Sequence, residues 1–141
     1  MSTVKEYSSD DVVIAWGPHI ISGKGAGDFV KVSMADDRIK SVQGADGEIG
    51  LSVQRHMPLA TCEVTLLQTS SWNAVLSAEM EKARVGLGGI MPMTIKDLRG
   101  ATFYLFDKAW LKKSPDGTFG KEVKERTWTF EGPCQQVEGG N

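Results

Sequence analysis

The chain has 141 residues, with 16 Lys or Arg against 18 Asp or Glu and a formal net charge of −2. That balance argues against a protein that wraps nucleic acid through a basic surface. The length suits one domain over residues 1–141, able to bury about two-thirds of its unfolded surface without a disulfide or metal staple.

Sixteen glycines against five prolines point to many turns rather than long helices. Asp11 to Trp16 reads as a first strand, closed by Gly17-Pro18. His19 to Ser22 is a short second strand, and Gly23-Lys24-Gly25-Ala26-Gly27 reads as a tight turn after it. Phe29 to Met34 alternates with a period near two and runs into Asp36-Asp37. Ile39 to Gln43 and Glu48 to Val53 flank Gly44-Ala45-Asp46-Gly47, whose Asp-Gly pair signals a hairpin. Thr61 to Leu67 alternates again and predicts a strand with one buried face. The remaining predicted strands are Met93 to Lys96, Ala101 to Phe106, Ala109 to Lys112 and Val123 to Phe130, with an Asp116-Gly117 turn before the last.

One segment has a different period. From Ser70 to Lys82 the apolar residues Trp72, Val75, Leu76 and Met80, with Ala83 beyond, fall at helical spacings. Ser70 or Ser71 serves as N-cap, and Gly86 with Gly88-Gly89 stops the helix. The prediction is a mainly β domain, sandwich or barrel-like, with one flanking helix packed on an open side of the sheet.

Chemistry-bearing patterns are sparse. The glycine-rich stretch at 23–27 lacks the GxxxxGK[ST] order and precedes a strand, so it offers no helix N-terminus to a phosphate. His19 and His56 have no metal-ligand spacing, the DxDxDG calcium pattern is absent, and no nucleophile elbow occurs. No catalytic group, cofactor or metal ligand is therefore expected. Cys62 and Cys134, 72 positions apart, read as two small buried thiols. No apolar run approaches the ~20 residues of a membrane helix, and Met1 to Glu6 has no signal-peptide core, so a cytoplasmic product without a membrane anchor is expected. Asp36-Asp37 and Asp46-Gly47-Glu48 are either solvated turns or a negative surface shown to a polyanion. Trp16, Trp110 and Trp128 on strands are ordinarily core, with a subunit interface as the alternative. Many strands and no reactive cleft point to a self-assembling structural protein, because exposed strand edges template pairing between copies.

An ordered series of short elements sharpens this reading. Tyr7 precedes Asp11-Val12, followed by Ser22-Gly23 and the turn to Gly27. Gly44-Ala45-Asp46-Gly47-Glu48 comes next, then Leu66-Leu67-Gln68-Thr69-Ser70 with Asn73 and Leu76, then Asp97-Leu98-Arg99-Gly100. Ala109-Trp110, Pro115-Asp116 and Glu125-Arg126-Thr127-Trp128 close it. In order and spacing, over about residues 7–130, the chain resembles the tail tube proteins of contractile-tailed bacteriophages. His56-Met57-Pro58 and the segment after Phe130 lie outside the resemblance.

The resemblance implies a barrel-like fold related to the type VI secretion tube. It implies six-membered rings stacked into a hollow tube inside a contractile sheath, in the virion after assembly in the host cytoplasm. The implied partners are other copies of the chain, the sheath, the tape-measure protein, and the baseplate and terminator proteins. DNA would pass through the lumen without specific binding. Residues 1–50 carry five basic and eight acidic side chains, which would repel phosphates if they line much of that lumen. The expected ring-contact or lumen residues are Asp36, Asp37, Asp46 and Glu48. The helix is expected on the outer wall, with Glu79, Glu81, Lys82 and Arg84 facing a neighbour or the sheath. Residues 1–9 are expected to be a flexible segment with Tyr7 as its anchor, and 132–141 a C-terminal tail. A baseplate or terminator ring subunit, a monomeric β-sandwich module for carbohydrate or peptide, and a small β-barrel enzyme are the alternatives.

Overall fold

A computed structural model describes residues 4–140. In chain order it holds β1 (Val12–Trp16), β2 (His19–Ile20), β3 (Val30–Met34), β4 (Ile39–Gln43), β5 (Ile49–Val53), β6 (Leu59–Leu67), α1 (Trp72–Arg84), β7 (Ile90–Asp97), β8 (Phe103–Lys113) and β9 (Glu125–Val137). Seven strands form one antiparallel sheet in the order β2-β1-β7-β8-β9-β6-β3, while β4 and β5 form a separate two-stranded ribbon. The fold is mainly β with one helix, as the sequence predicts.

The sheet is strongly curled. Trp16 on β1 and Phe130 on β9 are three strand spacings apart, about 14 Å across a flat sheet. Their rings nevertheless meet edge to face with centroids 5.0 Å apart. Curling brings the inward residues of distant strands together, and Ile14, Val64, Leu66, Met93 and Phe106 join them in a fully buried core. The indole Nε1 of Trp16 donates to the Ala109 carbonyl at 3.1 Å, so this buried polar atom is satisfied.

Helix α1 lies over the open side of this curl. Leu76 is fully buried, while Trp72 and Met80 pack on the core at partial exposure and Val75 is half-buried. The helix ends in a Schellman turn: Gly86 takes a φ of +78°, its N–H donates to Ala83, and the Leu87 N–H donates to Lys82. At the other end Ser71 holds the cap position without a side-chain bond. The Ser70 hydroxyl instead accepts from the Trp72 N–H at 3.3 Å.

Three segments differ from the sequence prediction. Residues 101–112, read as two strands, are the single strand β8, which bulges between Phe106 and Trp110 rather than breaking. Strand β9 runs through the segment read as a tail, as far as Val137. Gly132 permits this, since a Cβ there would lie 2.1 Å from the Lys108 carbonyl of the bulge. The glycine stretch at 23–27 is extended in part: Lys24 bridges to Leu66, and the Gly25 N–H donates to Thr65. Both cysteines are free and buried, and burial raises the thiol pKa of each, that of Cys134 to about 11.

Candidate assembly surfaces

The β4–β5 ribbon is the most unusual part of the subunit. Its pairing sets Ile39 opposite Val53, Ser41 opposite Leu51 and Gln43 opposite Ile49. Directly paired residues share a face, so Ile39, Ile49, Leu51 and Val53 form one apolar face. Every residue of both strands is exposed, with Leu51 64% and Ile49 62% accessible. An isolated two-stranded ribbon is marginal in water, so an apolar face held open on one implies a partner surface.

The tip of the ribbon is built from the predicted hairpin signal. The Gly47 N–H donates to the Gly44 carbonyl and Gly47 adopts a φ of +93°, a conformation that favours glycine. The Asp46 carboxylate accepts from the Glu48 N–H at 3.2 Å, an Asx turn that leaves both acids exposed at the tip. At the base, exposed Asp36 pairs with Lys40 at 3.6 Å, and Asp37 is exposed beside it. The structure thus places Asp36 and Asp37 at one end of the ribbon and Asp46 and Glu48 at the other. His56, Met57 and Pro58 line a cleft of about 180 Å³ at its base.

The convex face of the main sheet is divided. On β9, β6 and β3 the pairing makes a transverse row of Thr129, Glu63 and Lys31, and a second of Glu131, Thr61 and Ser33. The Thr65 and Thr127 hydroxyls bond each other at 3.0 Å on the same face. Trp110 is half-buried beside this polar region, opposite Glu131.

Around α1 the polar groups look inward. Glu79 is only 7% exposed, a correction to its predicted outward orientation. It stands three residues from Leu76 on the helix, so it shares the packed face, and its Oε1 meets His19 Nε2 at 3.2 Å and Lys82 Nζ at 3.1 Å. Burial pushes the Glu79 carboxyl up, but the bonds from Lys82 and His19 outweigh it and hold it below the ordinary glutamate value. His19 in turn sits between the rings of Trp16 and Trp72. Glu81, Lys82 and Arg84 do remain exposed, Glu81 and Arg84 as a mutual pair at 2.8 Å.

Asn73 is the second group that the residue pattern left without a role. Its Nδ2 donates to the carbonyls of Leu67, Gln68 and Ser70, and its Oδ1 accepts from the buried Trp128 indole at 2.9 Å. Trp128 is therefore core, tied to the first turn of α1. Near the N-terminus Tyr7 is 62% exposed, and Arg99 pairs with both Glu6 and Asp11. Met1, Ser2 and Thr3 of the predicted flexible segment, and Asn141 of the predicted tail, lie outside the described residues.

The chain matches the model of the family described as "Bacteriophage PhiTE tail tube protein" over residues 7–139. It belongs to that family. The tail tube assignment makes it a structural component of the phage tail rather than an enzyme. It is 30% identical over 114 residues to "Structural protein ORF10" of Pseudomonas phage KPP10, a match covering 79% of this chain and 65% of that relative. This tail tube chain therefore spans slightly under two-thirds of that relative's length.

Among solved structures, its fold is similar to one titled as the sheath/tube terminator of an extracellular contractile injection system, in the extended state. There the TM-score is 0.58 at 11% identity, covering 97% of this chain and all of the other. It is likewise similar to the sheath–tube complex of such a system, at a TM-score of 0.54 and 14% identity, covering 94% and 93%.

Proposed function

We propose that this tail tube protein assembles as six-membered rings stacked into a hollow tube within a contractile sheath, and that the tube conducts phage DNA. The observation that carries the reading is the β4–β5 ribbon, exposed along its whole length and with an apolar face, a contact surface that one subunit leaves unused. A contact between different patches on successive copies closes into a ring or propagates as a stack. Strand β3 has a neighbour on one side only, which leaves a second edge where a copy can add.

In this reading the acids Asp36, Asp37, Asp46 and Glu48 serve ring contacts or border the lumen, and the net negative charge keeps DNA from binding the wall. The tape-measure protein occupies the lumen before DNA, the sheath surrounds the tube, and baseplate and terminator proteins bound its ends. The exposed residues of α1, Glu81, Lys82 and Arg84, face outward towards a neighbour or the sheath. The described part of the N-terminal segment, residues 4–9, crosses the ring boundary, with Tyr7 seated in the next ring.

A terminator subunit that forms one ring is the second reading, favoured by the fold likeness to a sheath/tube terminator. Electron microscopy of the purified protein separates the two. Long hollow tubes support the tube subunit, isolated rings the terminator, and monodisperse monomers neither.

A further inference from the structure

The chain holds two Asp-Gly pairs, Asp46-Gly47 and Asp116-Gly117, and the fold treats them differently. Such a pair is unusually open to attack by the glycine nitrogen on the preceding side chain, because glycine has no Cβ to shield its N–H. At the ribbon tip both reacting groups are engaged. The Gly47 N–H donates to the Gly44 carbonyl at 3.0 Å, and the Asp46 carboxylate accepts from the Glu48 N–H at 3.2 Å. Pairing of Gln43 with Ile49 across the turn adds a further restraint. The second pair sits in the connection between β8 and β9. Its sequence predicts a turn, yet no turn forms at 114–120. Among the described residues, neither Asp116 nor Gly117 makes a hydrogen bond or ion pair. Both are exposed, and a Cβ added to Gly117 would meet no atom within 4 Å.

We propose that Asp116-Gly117 is a site of spontaneous isomerisation to isoaspartate, while Asp46-Gly47 is shielded by its turn. The inference does not depend on the assembly proposed above. In the first step the Gly117 nitrogen loses its proton and bonds to Cγ of the protonated Asp116 carboxyl. The carboxyl hydroxyl leaves with that proton as water, and a cyclic succinimide remains. In the second step water adds to one of the two ring carbonyls and breaks its bond to the Gly117 nitrogen, which regains a proton. Opening at Cγ restores aspartate. Opening at the main-chain carbonyl leaves the chain running through Cγ, with one extra methylene in the backbone and a free α-carboxylate. Water is the only co-reactant, released in the first step and consumed in the second. The connection can take the longer backbone because its ends are held separately. Lys113 pairs with Thr129 at the end of β8, and the Lys124 N–H donates to Gln68 Oε1 at 3.0 Å before β9. At Asp46 the same ring closure would first break two hydrogen bonds, which slows it about tenfold.

The test is ageing of the purified full chain in neutral buffer for several weeks, with a second sample kept unfolded in guanidinium chloride. Trypsin digestion and electron-transfer mass spectrometry then distinguish isoaspartate from aspartate. Tryptic peptides 114–121 and 41–55 each contain one aspartate, Asp116 and Asp46, and so report on the two pairs separately. In the folded protein, isoaspartate is expected in 114–121 at about ten times its level in 41–55. In the unfolded sample the two levels should be similar. Absence of isoaspartate from 114–121 of the folded protein overturns the proposal, and equal levels in its two peptides overturn the shielding at the ribbon tip. Gly117→Ala is the second check. The added methyl has open space and the φ of Gly117 lies outside the left-handed region, so this variant should keep the parent's Tm and lose the isoaspartate of 114–121. An undiminished signal in that variant overturns the role of the Gly117 nitrogen.

Discussion

Replacing Asn73 by Asp changes one atom group at the junction of α1, β6 and β9. Asn73 is 8% exposed, and its amide nitrogen faces three carbonyl oxygens at 3.0, 3.3 and 3.0 Å. An aspartate keeps the oxygen that accepts from Trp128 but turns a second, negatively charged oxygen towards those carbonyls. Three donor contacts are lost, and partial exposure lets water relieve some of them. The expected cost is about 2–4 kcal/mol at pH 7, which lowers Tm by roughly 10 °C in a chain of this size. Its pH dependence has a definite sign. Carbonyl neighbours and burial raise the folded-state pKa of the new carboxyl above its unfolded value of about 3.9. The variant's deficit relative to the parent is then full above the folded value and shrinks as pH falls through it, when a protonated carboxyl can donate again. Urea unfolding followed by tryptophan fluorescence, at pH 7 and at mildly acid pH, measures both effects. An Asn73→Asp protein with the parent's midpoint at pH 7, or a deficit that grows on acidification, refutes the reasoning.

Four further outcomes are expected. Leu76→Asp places an unpaired charge in the core and should leave no folded subunit by circular dichroism, whereas soluble assembling protein would contradict the helix facing. The native Glu79 carboxyl has a depressed folded value, so its contribution is present above the ordinary glutamate value of about 4.3 and is lost as pH falls below it; Glu79→Gln should flatten that part of the acid-unfolding curve. Reversing Asp36, Asp37 and Asp46 to Lys should leave a folded monomer that assembles poorly or forms tubes that retain DNA, and normal tubes with normal ejection would reduce these acids to solvated turns. Deleting residues 2–9 should spare the fold and shorten tubes or lower their yield, since burial of Tyr7 in the next ring would contribute ~1.5–3 kcal/mol per subunit; tubes of full length would make the segment a simple tail.

Most strands and the helix were legible because their signals are local. Alternation marks β3 and β6, the apolar run closed by Gly17-Pro18 marks β1, and the spacing of Trp72, Leu76 and Met80 marks the buried face of α1. Glu79 was misread because residue type was weighed above position. It lies three residues from Leu76 on the packed face, and its partner His19 is 60 positions away, beyond any local pattern. The continuity of β8 and β9 was hidden by the charged pair Asp107-Lys108 and by Gly132-Pro133, which interrupt the apolar pattern singly but lie across from each other at one bulge. In the ribbon, the Asp46-Gly47 turn signal between Ile39–Gln43 and Glu48–Val53 marks the hairpin. That its apolar face covers nothing within the subunit depends on where the chain returns, and so needed the fold.

The central claim is that this chain builds the tube along its length. Immunogold labelling of purified virions, before and after sheath contraction, tests it directly. The account predicts little label on extended tails and label distributed along the inner tube once contraction exposes it. Label confined to one end of the tail, or on the sheath in both states, would contradict it.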